Sequence, residues 1–248
     1  MNVRLWIAVV LIWAACSPSA LALTGDEVLQ NIDKNMVVDQ AVRTSKMVIN
    51  ARSGSRTVES RSWIKGSDRV LVEYLAPARE KGKKMLKLGD RIWNYTPEPN
   101  DRIIAIAGHL LRQSVMGSDL SYEDLTDNSR LEEVYEASIE GRGEFGGTGC
   151  LVLKLTARKS DVPYFTRRIW VDPARWLPLK EERYARSGRL LKNFEIREVL
   201  QTGGRWYPKA MFFKDVLASG EGTHFLTESI DFDVEIPESR FTKASLRK

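Results

Sequence analysis

The chain has 248 residues, and its 38 Lys and Arg against 33 Asp and Glu give a net charge of +5. So small an excess argues against nucleic acid as the partner, because a phosphate backbone selects strongly basic surfaces. Two cysteines, Cys16 and Cys150, are too few for a disulfide scaffold.

The first 22 residues have the layout of an export signal. Arg4 supplies a positive start, Leu5 to Ala15 an apolar run too short to span a bilayer, and Ala20-Leu-Ala22 a small-x-small cleavage pattern. Cleavage there removes a single charge and leaves residues 23–248 at +4, with Cys150 as the lone cysteine. The other reading acylates Cys16 as a lipoprotein anchor, although Trp13 stands where such signals prefer Leu. Either way the protein is exported. Cys150 precedes Leu151-Val-Leu153 and reads as a buried structural thiol.

Thr24-Gly-Asp-Glu27 has the form of a capping box, and Val28, Ile32 and Met36 recur at four-residue spacing, predicting an amphipathic helix over 25–38. From Ala41 to Ile106 the period falls to two. Val58 and Ile64 share a face opposite Glu59, Arg61 and Trp63. Val70, Val72 and Tyr74 alternate with Leu71, Glu73 and Leu75, and the Glu73 face is assigned to solvent. Leu86 and Leu88 lie across from Lys87, and Trp93 and Tyr95 across from Asn94. Short polar breaks at 54–55, 66–67, 82 and 89–90 suit an antiparallel meander.

Gly108 to Met116 interrupts this rhythm. Leu110, Leu111 and Val115 predict a short apolar helix between two sheet halves, and Ser121 with Asp124 a further turn. Strands then return at 131–139, 150–157, 165–171, 177–186, 189–201, 205–216 and 222–234, and Pro237 to Thr242 closes the chain in a loop or helical turn. About eleven or twelve strands are too many for one flat sheet, which must curl, split or close. The pattern therefore predicts a mainly β protein: one curved antiparallel sheet whose concave face is plugged by two apolar helical segments. No linker or low-complexity stretch divides residues 23–248, so one domain is expected.

The chain lacks a sequence signature of catalysis or of a cofactor, and the expectation is a protein that is not an enzyme and has no cofactor. His109 and His224 have no companions at zinc-ligand spacing. Gly141-Arg-Gly-Glu-Phe-Gly146 matches the letters of a dinucleotide fingerprint, but Gly147-Thr-Gly149 and a strand follow where a helix should begin, so it reads as a hairpin loop. Asp119, Glu123 and Asp124 form the best carboxylate group. They could bind a cation or act as an acid/base pair, but capping of a short helix is favoured.

Asp68-Arg-Val-Leu-Val-Glu-Tyr-Leu-Ala-Pro77, Lys81-Gly-Lys-Lys-Met-Leu86, Gly89-Asp-Arg-Ile-Trp-Asn-Tyr-Thr-Pro97 and Gly117-Ser-Asp-Leu-Ser-Tyr-Glu-Asp124 follow one another in an order that resembles the bacterial outer-membrane lipoprotein-sorting proteins, relatives of LolA and LolB. The resemblance implies an incomplete, half-open β-barrel with short helices as a lid over a hydrophobic cavity. It further implies a monomeric periplasmic carrier of the acyl chains of a lipoprotein or other envelope lipid, loaded by an inner-membrane transporter and unloaded to an outer-membrane acceptor or to lipid. Under it, Val70, Val72, Tyr74, Leu86, Leu88, Trp93 and Tyr95 are candidates to line the cavity, and Leu110, Leu111, Val115 and Met116 to form the lid. By composition alone the same residues could equally make an ordinary packed core. Lys81, Lys83 and Lys84 are candidates for contact with lipid headgroups or a partner, against the plainer reading of a solvated hairpin tip. The alternative function is a periplasmic lipid-sensing or interaction module that binds a membrane-protein partner.

Overall fold

The computed structural model describes residues 23–248, so the expected export signal and Cys16 lie outside the described residues. The capping box forms as expected. Thr24 accepts from the Glu27 amide, Glu27 returns the bond to the Thr24 amide, and α1 runs Gly25–Met36. It ends two residues short of the expected 38, because Val37 and Val38 turn to extended backbone to enter the sheet.

Thirteen antiparallel strands form one curved sheet that does not close into a barrel. The first six are β1 (Gln40–Ala51), β2 (Gly54–Lys65), β3 (Arg69–Ala76), β4 (Lys84–Leu88), β5 (Arg91–Thr96) and β6 (Arg102–Ile106). The other seven are β7 (Tyr135–Phe145), β8 (Thr148–Ala157), β9 (Thr166–Asp172), β10 (Leu177–Tyr184), β11 (Leu190–Thr202), β12 (Arg205–Asp215) and β13 (Gly222–Asp231). Each set is a meander, and the two are joined along β1 and β13, where Val42 lies opposite Asp231 and Asn50 opposite Gly222. β6 and β7 are therefore the two edges, and the chain between them must cross the whole sheet.

That crossing segment, 107–134, covers the inner face of the sheet. Gly108–Arg112 forms a 3-10 turn where the sequence suggested an α-helix, and an isolated bridge between Ser114 and Ser121 follows. The turn expected at Ser121 forms, and it does so as a second capping box: Ser121 and Asp124 bond reciprocally and start α2, Tyr122–Thr126. Residues 131–134, expected as strand, form α3 (Leu131–Val134). The reason is tertiary. The carboxylate of Asp33 on α1 accepts the amides of Leu131 and Glu132 at 3.0 and 3.1 Å, capping a turn that has no capping side chain of its own.

Val28, Leu29 and Ile32 of α1 pack on Tyr135, Leu153, Leu155, Ile169 and Val171, closing the inner face over β7 to β9. The helix lies so close that a Cβ on Gly25 would come within 2.3 Å of the Ala137 carbonyl oxygen. Toward the centre, Met47, Val58, Ile64, Val70, Val72, Tyr74, Met85 and Phe225 meet Leu120 of the crossing segment.

The outer face carries the main correction to the alternation reading. The Glu73 face of β3 is not open to solvent. Leu71, Leu86 and Trp93 are buried there beneath Ile236, Phe241 and Leu246 of the chain's final segment. That half of the sheet is thus apolar on both sides, and alternation alone does not say which side is the inner one.

Candidate functional site

Two adjoining cavities lie under the crossing segment. The first, about 180 Å³, is walled by Met36, Val38, Ile64, Val70, Leu120, Leu125, Phe194, Tyr207, Met211, Phe213 and Phe225, with several charged side chains at one side. The second, about 360 Å³, opens between β4–β5 and the β8–β9 loop, with Ile92, Leu111, Val162 and Pro163 among its apolar walls. Asp124, Thr126, Asp127, Ser129, Leu131 and Arg167 border both. The strip 124–131 is therefore the partition between them.

What holds the strip is polar. Asp124 receives Lys192 at 2.5 Å, Arg183 at 3.1 Å and the Tyr164 hydroxyl at 2.8 Å, besides its capping bonds to Ser121. Its side chain is only 2% exposed. Burial works to raise the carboxyl, but Lys192 and Arg183 overcome it and hold Asp124 far below the usual carboxylate range. Arg183 also donates to Glu181 at 2.6 Å, and Arg167 pairs with Glu181 and donates to the Tyr135 hydroxyl. Burial would raise Glu181, yet the two guanidiniums lower it. A buried charge persists only when paired and hydrogen-bonded, and every member here has partners.

Asp119 anchors the other bend of the crossing segment. It accepts from Thr223 Oγ1 at 2.8 Å and from the Asp215 amide at 2.9 Å, while Lys192 donates to its carbonyl. Asp119 and Asp124 thus clasp the segment to β10–β13. Asn128 supplies a third tie, donating to the carbonyls of Val38 and Gly66 at 2.9 Å and accepting from the Val38 amide. Replacing Asn128 with Ala strands these backbone groups and is expected to cost about 1–3 kcal/mol. A lowered urea midpoint with unchanged far-UV circular dichroism would register it, and an unchanged midpoint would count against the tie.

The candidate residues divide between the two faces. Val70, Val72 and Tyr74 face inward among the central core, and of the seven cavity candidates Val70 alone lines either cavity. Leu86, Leu88, Trp93 and Tyr95 point to the opposite side, in the cluster under the C-terminal segment. In the crossing segment Val115 is fully buried, Leu111 and Met116 pack against the central core with Leu111 lining the second cavity, and Leu110 is half-exposed. Lys81, Lys83 and Lys84 sit at the β3–β4 hairpin. Lys81 is exposed, Lys83 pairs with Glu80 at 2.8 Å, and Lys84 opens β4 opposite Glu73. Lys87 instead turns inward, donating to the carbonyls of Ser67 and Thr126.

His109 is exposed, His224 packs on Phe212, and Cys150 is buried. Gly141 to Gly146 lies in the β7–β8 hairpin, whose turn uses Gly146 and Gly147 at positive φ. Arg167, Glu181, Arg183, Lys192 and Asn128 went unnoticed in sequence. A signal existed for two of them: Glu181 and Arg183 continue an alternating register on a strand otherwise rich in apolar residues, which sets charge on a covered face.

A family model for DUF1329, described as an uncharacterized protein, matches residues 66–248. The chain belongs to the DUF1329 family. A solved DUF1329 structure from Desulfovibrio piger is 23% identical and aligns with a TM-score of 0.82 over 90% of this chain and 98% of its own. A domain from Vibrio parahaemolyticus, named for outer-membrane lipoprotein sorting, is 24% identical with a TM-score of 0.79 over 90% and 98%. A LolA superfamily protein from Nitrosomonas europaea is 22% identical with a TM-score of 0.75 over 90% and 100%. No curated protein matches the chain. These likenesses carry the fold: this DUF1329 member has the half-open sheet of the LolA-like proteins. Among the described residues no helix is long and apolar enough to cross a membrane.

Proposed function

We propose that the protein is a periplasmic carrier that holds the acyl chains of an envelope lipid or lipoprotein beneath its crossing segment and moves them between the two membranes. The observation that carries this reading is the partition 124–131: two cavities separated by one strip of chain, tied down by polar bonds over an apolar floor. Each buried methylene of a cargo chain gains about 0.8 kcal/mol. Ligand pockets commonly run about 300–1,000 Å³. The apolar chamber is below that range, so a long chain enters only when the strip lifts and the two spaces merge.

The strip 124–131, with 108–116 and α1 beside it, serves as the lid in this reading. Leu111, Val115 and Met116 lie in the lid beside it, and Val70 belongs to the floor the cargo meets, with Val72 and Tyr74 in the core next to it. The ties are exchangeable, because an ion pair or amide hydrogen bond lost inside the protein is replaced by hydrogen bonds to water at the opened mouth. Residues 1–22 act as the export signal, an inner-membrane transporter loads the carrier, and an outer-membrane acceptor or lipid receives the cargo. Lys81, Lys83 and Lys84 face that partner or the headgroups from the hairpin tip.

Native mass spectrometry with lipid extraction, on mature protein purified from its own envelope, tests the reading. Acyl-chain species at fixed stoichiometry are expected. Clean apo protein that also refuses added lipoprotein and fluorescent fatty acid would overturn it in favour of a module that binds a membrane-protein partner.

A further inference from the structure

We infer that the second cavity is a headgroup chamber for a lipid bearing a primary ammonium, an ethanolamine-type phospholipid head, with Glu123 as the group that receives the ammonium. The inference rests on the carrier reading and narrows its cargo. Both cavities carry charged side chains beside apolar walls, but acid and base nearly balance around the first and do not around the second. Asp90, Glu123, Asp124, Asp127 and Asp161 border it, against Lys87 and Arg167. Acid outweighs base in a partly enclosed space, which favours a cation.

Two of those acids are already committed: Asp124 is taken by Lys192 and Arg183, and Asp127 lies 3.9 Å from Arg167. Asp90 and Asp161 are exposed, where water serves them. Glu123 differs from all four. Its Oε2 atom is buried yet has no hydrogen-bond partner, and the side chain makes no ion pair among the described residues. A buried carboxylate oxygen without a donor costs free energy comparable to a lost charged hydrogen bond. A donor brought by the cargo would remove that cost, and a primary ammonium brings three. Burial raises the Glu123 carboxyl, and the neighbouring Asp124 and Asp127 act in the same sense against Arg112 and Lys192.

Lys87 completes the fit. Its ammonium donates to two backbone carbonyls at 2.9 and 3.2 Å, leaving the third of its three donors for a phosphate oxygen. The chamber thus offers an acceptor for the ammonium and a donor for the phosphate of one zwitterionic head. The six residues shared with the apolar cavity mark where the glycerol would pass between them.

The test presents mature protein with vesicles of dioleoyl phosphatidylethanolamine, phosphatidylglycerol or phosphatidylcholine, the last carrying a trimethylated nitrogen that cannot donate. Bound lipid is counted by native mass spectrometry, with fluorescent fatty acid as a headgroup-free control. The expected result is a preference for the ethanolamine lipid of about tenfold or more, lost in Glu123→Gln while fatty-acid binding stays unchanged. Lipid uptake by wild type without headgroup preference, or a preference that survives in Glu123→Gln, overturns the headgroup assignment and leaves the carrier reading standing. No uptake of any acyl lipid by wild type defeats the carrier reading itself, and this inference with it.

Discussion

Replacing Asp124 with Ala is expected to lower the unfolding free energy by about 3–5 kcal/mol, the usual cost of breaking a buried ion pair from one side. Lys192 and Arg183 would remain in the interior, each short of one partner, and the carboxylate half of the capping box, which accepts from the Ser121 amide and hydroxyl, would be lost as well. For a chain of this size that corresponds to a melting temperature lower by about 10 °C. Asp124→Asn adds a second signature. Burial opposes ionisation of Asp124 and Glu181, but their cationic neighbours prevail, so both carboxyls bind protons less readily in the folded than in the unfolded chain. Their contribution is complete above about pH 5 and is lost progressively as the pH falls through about 4 and below, where the unfolded state takes up more protons. Urea midpoints from pH 7 to pH 3 should fall steeply for wild type and less steeply for Asp124→Asn. Equal slopes would mean that the clasp does not set the acid sensitivity.

Leu125→Trp is expected to reduce acyl-chain uptake by more than about tenfold while the sheet remains intact. Leu125 lines the apolar cavity and stands on the partition itself. The larger indole would occupy space that the cargo needs, at an overpacking cost of about 1–3 kcal/mol. Leu217→Trp, at the exposed tip of the β12–β13 hairpin, is the control and should bind as wild type does. Full lipid uptake by a folded Leu125→Trp protein would remove the first cavity from the carrier reading.

Most of the architecture could be read from local chemistry. The capping box at Thr24 and the turn start at Ser121 were visible as residue types at fixed spacing, and the strands after Gly147 lie within a few residues of their expected bounds, because turn residues and period-two alternation act locally. Position in the sheet was not legible in that way. Val70, Val72 and Tyr74 carry the same pattern as Leu71 and Leu86, and only the paths of 107–134 and 232–248 decide which set is inside. The clasp was hidden for the same reason. Asp124 announced itself as a cap, whereas its partners Tyr164, Arg183 and Lys192 lie 40 to 68 residues away and arrive by tertiary packing. Asn128 is one of several polar residues in a row, Thr126 to Arg130, and nothing local distinguishes its three bonds from none.

The join between the two meanders also bears on how the molecule is assembled. β1 is among the first parts of the chain to be made, yet one of its two neighbours is β13, so Val48 waits for His224. Until residues 222–231 exist, the first six strands carry a long open edge along β1, a template to which any other extended chain can add. So distant a pairing also bears a large loop-closure penalty, which slows the final step. Nascent chains that end before Gly222 should therefore be held without a completed sheet, and completion of the last strand should mark the moment when the protein becomes resistant to proteolysis.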